Sequence, residues 1–507
     1  MQSKSAQGHK VSRQSWVIGA VGSALLALSA AAAGAGPYVV STTIPSVSGI
    51  RLGIDSTNHT IWVVNQANNA VYTIDGTTNT ENTSAINVGS APDAIGVNST
   101  THLAYVADIG ENTLAVVDGV SHSVTGTVPI GGGHREVAVD ELNLISYVSN
   151  SSDGTVSAIN LLTNTVTATI PTGPSPIAVA VDSSTHIVYA ADYVNNIVSV
   201  INSATNMVTA TVPVGINPRW MAANPSTHKV YVVNQNANSV SVIDGAANKL
   251  ITTIAVGNVP YGVAVDPSSN TVFVANEGDG TVSVIDGASN TVIETLPVGS
   301  GSGGDANDVV VDTSTHNIYV MNSNSSSISV IAAPPVVQCG AASNQWLAAN
   351  TSITCTASDA TVGLADPTQA SVTLSTNVAA GTETANASTN SVQICNTLGG
   401  CAKAGPVAGN KIDRKPPVIT LTTPKNGASY GAVVNLLFPV KVSYSCSDGG
   451  SGVASCTGTL PNGATLNTGL GALGTHTFVV NAIDNVGNRS SVSATYTVTL
   501  VGLLPGL

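Results

Sequence analysis

The chain has 507 residues, too many for one core, and should divide into several domains. Charged residues make up 8% of it, against about 25% in ordinary globular proteins, so Ser, Thr, Asn and Gly do the solvating. A net charge of −13 without any basic stripe argues against a nucleic-acid partner, and the β-rich, turn-rich composition argues against a helical fold.

Residues 1–36 read as a signal peptide. Lys4, Lys10 and Arg13 precede an apolar run from Trp16 to Ala33, and small residues follow. Cleavage there leaves an extracellular, cell-surface or periplasmic protein with no membrane span. An uncleaved anchor is the alternative, since the run is long enough to cross a bilayer.

Residues 37–332 are organised by a repeat. One aromatic marks each copy: Trp62, Tyr105, Tyr147, Tyr189, Tyr231, Phe273 and Tyr319, spaced by 43, 42, 42, 42, 42 and 46 residues. The sixth copy reads as four short strands, YGVAVD (261–266), TVFVAN (271–276), TVSVIDG (281–287) and TVIETLPVG (291–299). Gly, Asn, Asp and Pro punctuate between them. Four strands at this period are the signature of a β-propeller, here with seven blades. The last copy stops after SISVI (327–331) and lacks its outer strand, whereas VSTTIP (40–45) stands spare at the start. The expected closure therefore gives the N-terminal strand to the last blade, because an open end would leave a strand edge and a blade face exposed.

The YV-x-N, TVSVID, TATIPVG and PYGVAVD elements together resemble the YVTN family of propeller repeats, found in secreted and surface-layer proteins. That resemblance spans about residues 38–331 and implies the fold. Related propellers include lactonases, streptogramin lyases, quinoprotein subunits and plain scaffolds, so function must be argued from the site. IRLGID (50–55) and RWMAAN (219–224) depart from the inner-strand pattern.

Beyond residue 332 the composition changes, and all six cysteines lie there. Two segments, 333–412 and 413–507, resemble bacterial immunoglobulin-like β-sandwich modules. The sequence GTHTFVVNAIDNVGNRSSVSATYTV reads as a final β-hairpin. An even count in an exported chain favours disulfides. Cys446 and Cys456 are alone in the second module and should pair. Cys395 and Cys401 flank a short turn, which leaves Cys339 with Cys355.

Histidines 59, 102, 186, 228 and 316 each stand three residues before a marker aromatic. One per blade, they should be held apart, and no metal or cofactor is expected. DANDVVVD (305–312) offers oxygens for Ca²⁺, but too few for a full shell.

The candidate ligand site is the mouth of the central channel. There the outer-to-inner loops carry Asp93, His134, Arg135, Glu136, Arg219, Trp220, Tyr261, Asn307 and Asp308, with Ile50, Arg51, Ala94, Ile177, Ala178 and Gly262 at equivalent positions. Chemical diversity at one rim of a monotonous scaffold is how a binding face looks. These side chains are expected on loops. The leading reading is a non-enzymatic binding, adhesion or structural scaffold for a protein, peptide or glycan. The second reading is a hydrolase or lyase, in which His134, Glu136, Asp93 and the arginines form an acid–base constellation.

Overall fold

The structure is a computed structural model that describes residues 38–300, 304–359, 362–432 and 438–500. The signal-peptide reading falls outside these residues. Between residues 38 and 332 lie seven four-stranded antiparallel sheets. Sheets 1 to 6 occupy residues 51–87, 92–129, 134–171, 176–213, 218–255 and 260–297. The sixth has strands Pro260–Asp266, Thr271–Asn276, Thr281–Asp286 and Thr291–Pro297, within two residues of the sequence reading. Each inner strand lies against the inner strand of the next sheet.

Sheet 7 contributes Ala306–Val311, Ile318–Asn322 and Ser327–Ala332, and takes its outer strand, Val39–Pro45, from the start of the chain. The pairing runs from Val39 opposite Ala332 to Pro45 opposite Ser327. Ala306–Val311 in turn packs on Arg51–Asp55 of sheet 1. Tyr38 reaches sheet 6. Its ring meets Phe273 edge-on at 5.3 Å, its hydroxyl donates to Thr271 Oγ1 at 3.3 Å, and its N–H donates to Glu294 Oε2 at 3.1 Å.

The repeat motif follows from buried chemistry. Second and third strands are apolar on both faces because neighbouring sheets cover both. The marker aromatics sit fully buried between sheets, where desolvation pushes the Tyr105, Tyr147, Tyr189 and Tyr231 hydroxyls up to about 12. The Tyr319 ring reaches the next sheet and donates to Gly76 O at 3.2 Å. A Cβ on Gly76 would lie 2.8 Å from that hydroxyl, so the Asp-Gly turn needs its glycine there.

The repeated asparagine is a lock. In sheet 6, Asn276 Nδ2 donates to Thr281 Oγ1 (3.0 Å) and Ser283 Oγ (2.9 Å), tying the second strand to the third. Asn150, Asn234 and Asn322 repeat it. In sheet 2 the position holds Asp108, fully buried, with neither oxygen nor the Thr113 hydroxyl partnered.

The histidines form a belt of clasps. His59, His102, His186, His228 and His316 each place Nδ1 within 2.7–2.9 Å of the aspartate that ends or directly follows the preceding sheet's inner strand, respectively Asp312, Asp55, Asp140, Asp182 and Asp266. All five adopt positive φ in the first hairpin of their sheet. Asn224 and Asn270 make the equivalent contact by an amide hydrogen bond of 2.9 Å. At the remaining junction Asn98 and Leu144 stand in these places and make no such pair. Each histidine serves its own aspartate, so the five do not converge on an ion. The hydrogen bond that His316 donates to Asp266 raises the His316 pKa. Burial works against ionisation of Asp266, but hydrogen bonds from His316, Ser268 and Ser269 outweigh it and hold that carboxyl low.

The remaining segments are small antiparallel sheets. Val336–Cys339, Ser352–Ser358 and Ser371–Ser375 form one sheet, and Gly474–Asp484 and Arg489–Thr499 form the expected hairpin. Asn410–Asp413 pairs with Glu383–Ala387, so this strand runs one residue past the 412/413 boundary. The disulfides are Cys339–Cys355, Cys395–Cys401 and Cys446–Cys456, the expected set, and they fit an oxidising compartment. No helix among the described residues is long and apolar enough to cross a membrane.

Two outcomes follow for stability. Removing residues 38–45 deletes the buried Tyr38 and Ile44, worth about 1.5–3 kcal/mol each, and bares the edge of Ser327–Ala332. Thermal unfolding of the truncated chain should therefore begin earlier or end in aggregation. An unchanged transition would show that the pairing does not matter. The second concerns Asp108. Burial, with a contribution from Glu111, lifts its pKa to about 8. The folded state then holds a proton that the unfolded chain releases near pH 4, so this carboxyl destabilises the fold increasingly from about pH 4 to about 8. Asp108→Asn should gain roughly 1–3 kcal/mol at neutral pH and nothing near pH 4. Denaturant titrations at the two pH values check it.

Candidate functional site

The mouth residues are presented by β-bulges. In sheets 2 to 7 the inner strand slips register against the second strand within its first residues. The residues inside the slips are Asp93, Arg135 with Glu136, Ile177, Arg219, Tyr261 with Gly262, and Asn307. A bulge inserts an unpaired residue and re-aims its side chain. Sheet 1 has no slip, and Arg51 pairs in register with Val64.

These residues enclose a cavity of about 290 Å³, lined by Arg51, Asp93, Arg135, Ser151, Ser175, Ile177, Tyr193, Arg219, Trp220 and Tyr261. A second cavity of about 120 Å³ is lined by Arg51, Arg135, Glu136, Trp220, Asp308 and apolar inner-strand residues. Arg51, Arg135 and Arg219 are the arginines of residues 38–332, and all three line the first cavity.

A four-member stack fixes two of them. Trp220 and Tyr261 lie ring on ring, with centroids 4.9 Å apart. The Arg51 guanidinium lies 4.1 Å from the Trp220 ring centre, and that of Arg219 lies 4.2 Å from Tyr261. Such contacts offset part of the cost of desolvating a cation. Arg51 is 6% exposed and donates to Asn307 Oδ1 (3.0 Å), to Ile50 O (2.8 Å) and to Tyr261 Oη (3.2 Å). Arg219 donates to Tyr261 Oη and, at 3.4 Å, to Gln235 Oε1. Nε of both arginines has no acceptor. Arg135 is more exposed and pairs with Asp93 at 3.3 Å.

The other carboxylates hold backbone. Asp308 accepts from the N–H groups of Leu52 and Val309, both at 2.9 Å. Glu136 accepts from Val179 N–H at 2.9 Å. Each therefore fastens its sheet to an inner strand of the next. Burial raises both pKa values, that of Glu136 strongly. Arg51 opposes the rise at Asp308.

Not every expected residue reaches the cavity. His134 is fully buried, takes the strand-start position filled by proline in sheets 2, 4, 5 and 6, and places Nδ1 3.0 Å from Gly131 O. It lines neither cavity at the mouth. Asn307 supports Arg51 rather than lining the first cavity. Trp220, expected on a loop, lies within the strand Pro218–Asn224, 7% exposed and packed with Tyr231, Val233 and Val263. In sheets 2 to 7 the inner strand begins one residue before the slip residues of the mouth, so loop and strand positions overlap there. Ser151, Ser175 and Tyr193 joined the site from positions that the repeat did not single out.

The calcium reading of 305–312 loses its ligands to the fold. Asp305 accepts from Ser300 and Ser325, and Asp312 serves His59 and Ser314. The acidic group close enough to share an ion among the described residues is Glu383, Asp413 and Asp448. Lys415 already pairs with Glu383 at 2.9 Å, and backbone N–H groups of Ser451 and Gly452 bind Asp413 and Asp448.

No protein-family model matches the chain, and no curated protein matches it. Among solved structures, the chain is similar to one from Kuenenia stuttgartiensis hydrazine synthase, with a TM-score of 0.50 at 17% identity over 57% of this chain and 95% of that one. At that identity the likeness concerns the fold, a β-propeller.

Glu136 and Asp308 should respond differently to amide substitution. Glu136→Gln keeps a side-chain oxygen that can accept from Val179 N–H, and should leave the unfolding temperature unchanged. Asp308→Asn turns an NH₂ group towards one of two backbone N–H donors, and should cost roughly 1–3 kcal/mol. Thermal unfolding of both variants checks the pair.

Proposed function

We propose that this is an exported or cell-surface binding protein, in which a seven-bladed β-propeller of YVTN type presents one ligand site at its channel mouth. The two C-terminal segments are immunoglobulin-like modules that hold the propeller away from its attachment point. The ligand is a group carried by a glycan, peptide or protein. One observation carries this reading. Residues from the inner strands of several separate sheets, most of them at register slips, converge on a single cavity of about 290 Å³, near the lower end of the usual ligand-site range of about 300–1,000 Å³.

Binding is favoured over hydrolase or lyase chemistry because the acid–base groups are committed elsewhere. His134 faces a backbone carbonyl outside the cavities, and Glu136 caps a neighbouring strand. Asp93 is paired with Arg135. No nucleophile–base pair is assembled at the mouth by these groups.

The test is a glycan and peptide array probed with the full chain and with its Arg135→Ala, Arg219→Ala double variant. Trp220 is left in place, since removing a buried Trp costs about 3–5 kcal/mol. Ligands retained by the wild type should be lost by the variant at an unchanged unfolding temperature. Retention of every ligand by the variant would move the site away from the mouth.

A further inference from the structure

We propose that the mouth is an oxyanion site, shaped for one carboxylate, sulfate or phosphate group at the end of a ligand. This rests on the reading that the mouth binds, and names the chemistry that it selects. The first support is the concentration of cations. A chain of net charge −13 brings together here all three arginines of residues 38–332.

The second support is their unspent charge. Among the described residues, neither Arg51 nor Arg219 makes an ion pair with a carboxylate. The groups that accept from their guanidinium N–H are neutral: two side-chain amide oxygens, a backbone carbonyl and the Tyr261 hydroxyl. Asp308 and Asp93 act on Arg51 only through space. Asp308 already accepts two N–H groups, and Glu136 already accepts from Val179 N–H. The cavity wall therefore carries cations whose counter-charge is incomplete, and Arg51 among them is more than nine-tenths buried.

The third support is rigidity. The aromatic stack and the hydrogen bonds hold Arg51 and Arg219 in fixed planes before any ligand arrives. A planar guanidinium presents paired donors that match an oxyanion, and a pre-set side chain loses little entropy on binding. The same stack covers ring faces of Trp220 and Tyr261 with guanidinium groups, so these faces are taken up by the cations. Selection then falls on charge. A cavity of about 290 Å³ admits one small charged group and leaves the rest of a polymer outside.

The experiment is calorimetric titration of the full chain at low ionic strength with four probes: inorganic phosphate, sulfate, glucuronate and the neutral methyl glucoside. At least one anion should bind and the neutral sugar should not, and the three anionic arms show which oxyanion is preferred. Added salt should weaken binding. Arg219→Gln should weaken it by about tenfold or more, and Arg219→Lys should restore only part of the loss. Arg135→Gln, at a more exposed position, provides the same reading should Arg219→Gln fail to fold. Absence of binding by all three anions overturns the proposal. If array ligands are then still lost by the double alanine variant, the mouth binds but does not select oxyanions. Anion binding that survives both Arg219→Gln and Arg135→Gln places the anion elsewhere and overturns the proposal too.

Discussion

No four-stranded sheet here can cover its own two apolar faces. Second and third strands such as Ile61–Val64 and Leu114–Val117 are buried on both sides, and only a neighbouring sheet can do that. The arrangement is stable only if the stacking has no last member. Tyr38 and the strand Val39–Pro45 meet that condition by joining the start of the chain to sheets 6 and 7. Loop closure over this separation costs little more than over half of it, because the entropic term grows only with the logarithm of length.

That constraint divides the structure into two kinds of position. The hairpins that carry His59, His102, His186, His228 and His316 repeat one solution, a histidine clasp to the preceding sheet. The clasp is interchangeable with an amide pair, as Asn224 and Asn270 show. At the mouth, the bulges release one or two side chains per sheet from the ladder, and those are free to differ. Glu136 from one bulge, and Asp308 directly after another, return to structural work and cap strands of other sheets. Cavity-facing and structural groups thus share the same few residues of each inner strand.

The periodic part of this organisation is legible in the sequence, because a repeat averages over local ambiguity. The aromatic marker, the four strands and the spare outer strand can each be read from several copies. The disulfide pairs are legible because so few cysteines share a segment. The mouth is only partly legible. Arg51 stands one position out of phase with Arg135 and Arg219, since sheet 1 lacks the register slip, so a column-by-column comparison separates residues that the fold brings together. Trp220 reads as a loop residue because its strand departs from the repeat, yet the next sheet buries it. His134 reads as a catalytic candidate, and only the burial of its ring shows that it replaces a proline.

The electrostatics of the mouth follow from the same economy. A protein with 8% charged residues solvates itself with hydroxyls and amides, so a cation in its interior has few carboxylates to meet. Burying Arg51 without an ion-pair partner would be strongly unfavourable on its own. Three neutral acceptors, an aromatic face and the distant charge of Asp308 each offset part of that cost. None neutralises the guanidinium. The guanidinium groups instead face a cavity that inner strands of several sheets line together. A scaffold this poor in charge therefore makes each retained charge count, and the gathering of three arginines with Asp93 around one cavity sets the mouth apart from the rest of residues 38–332.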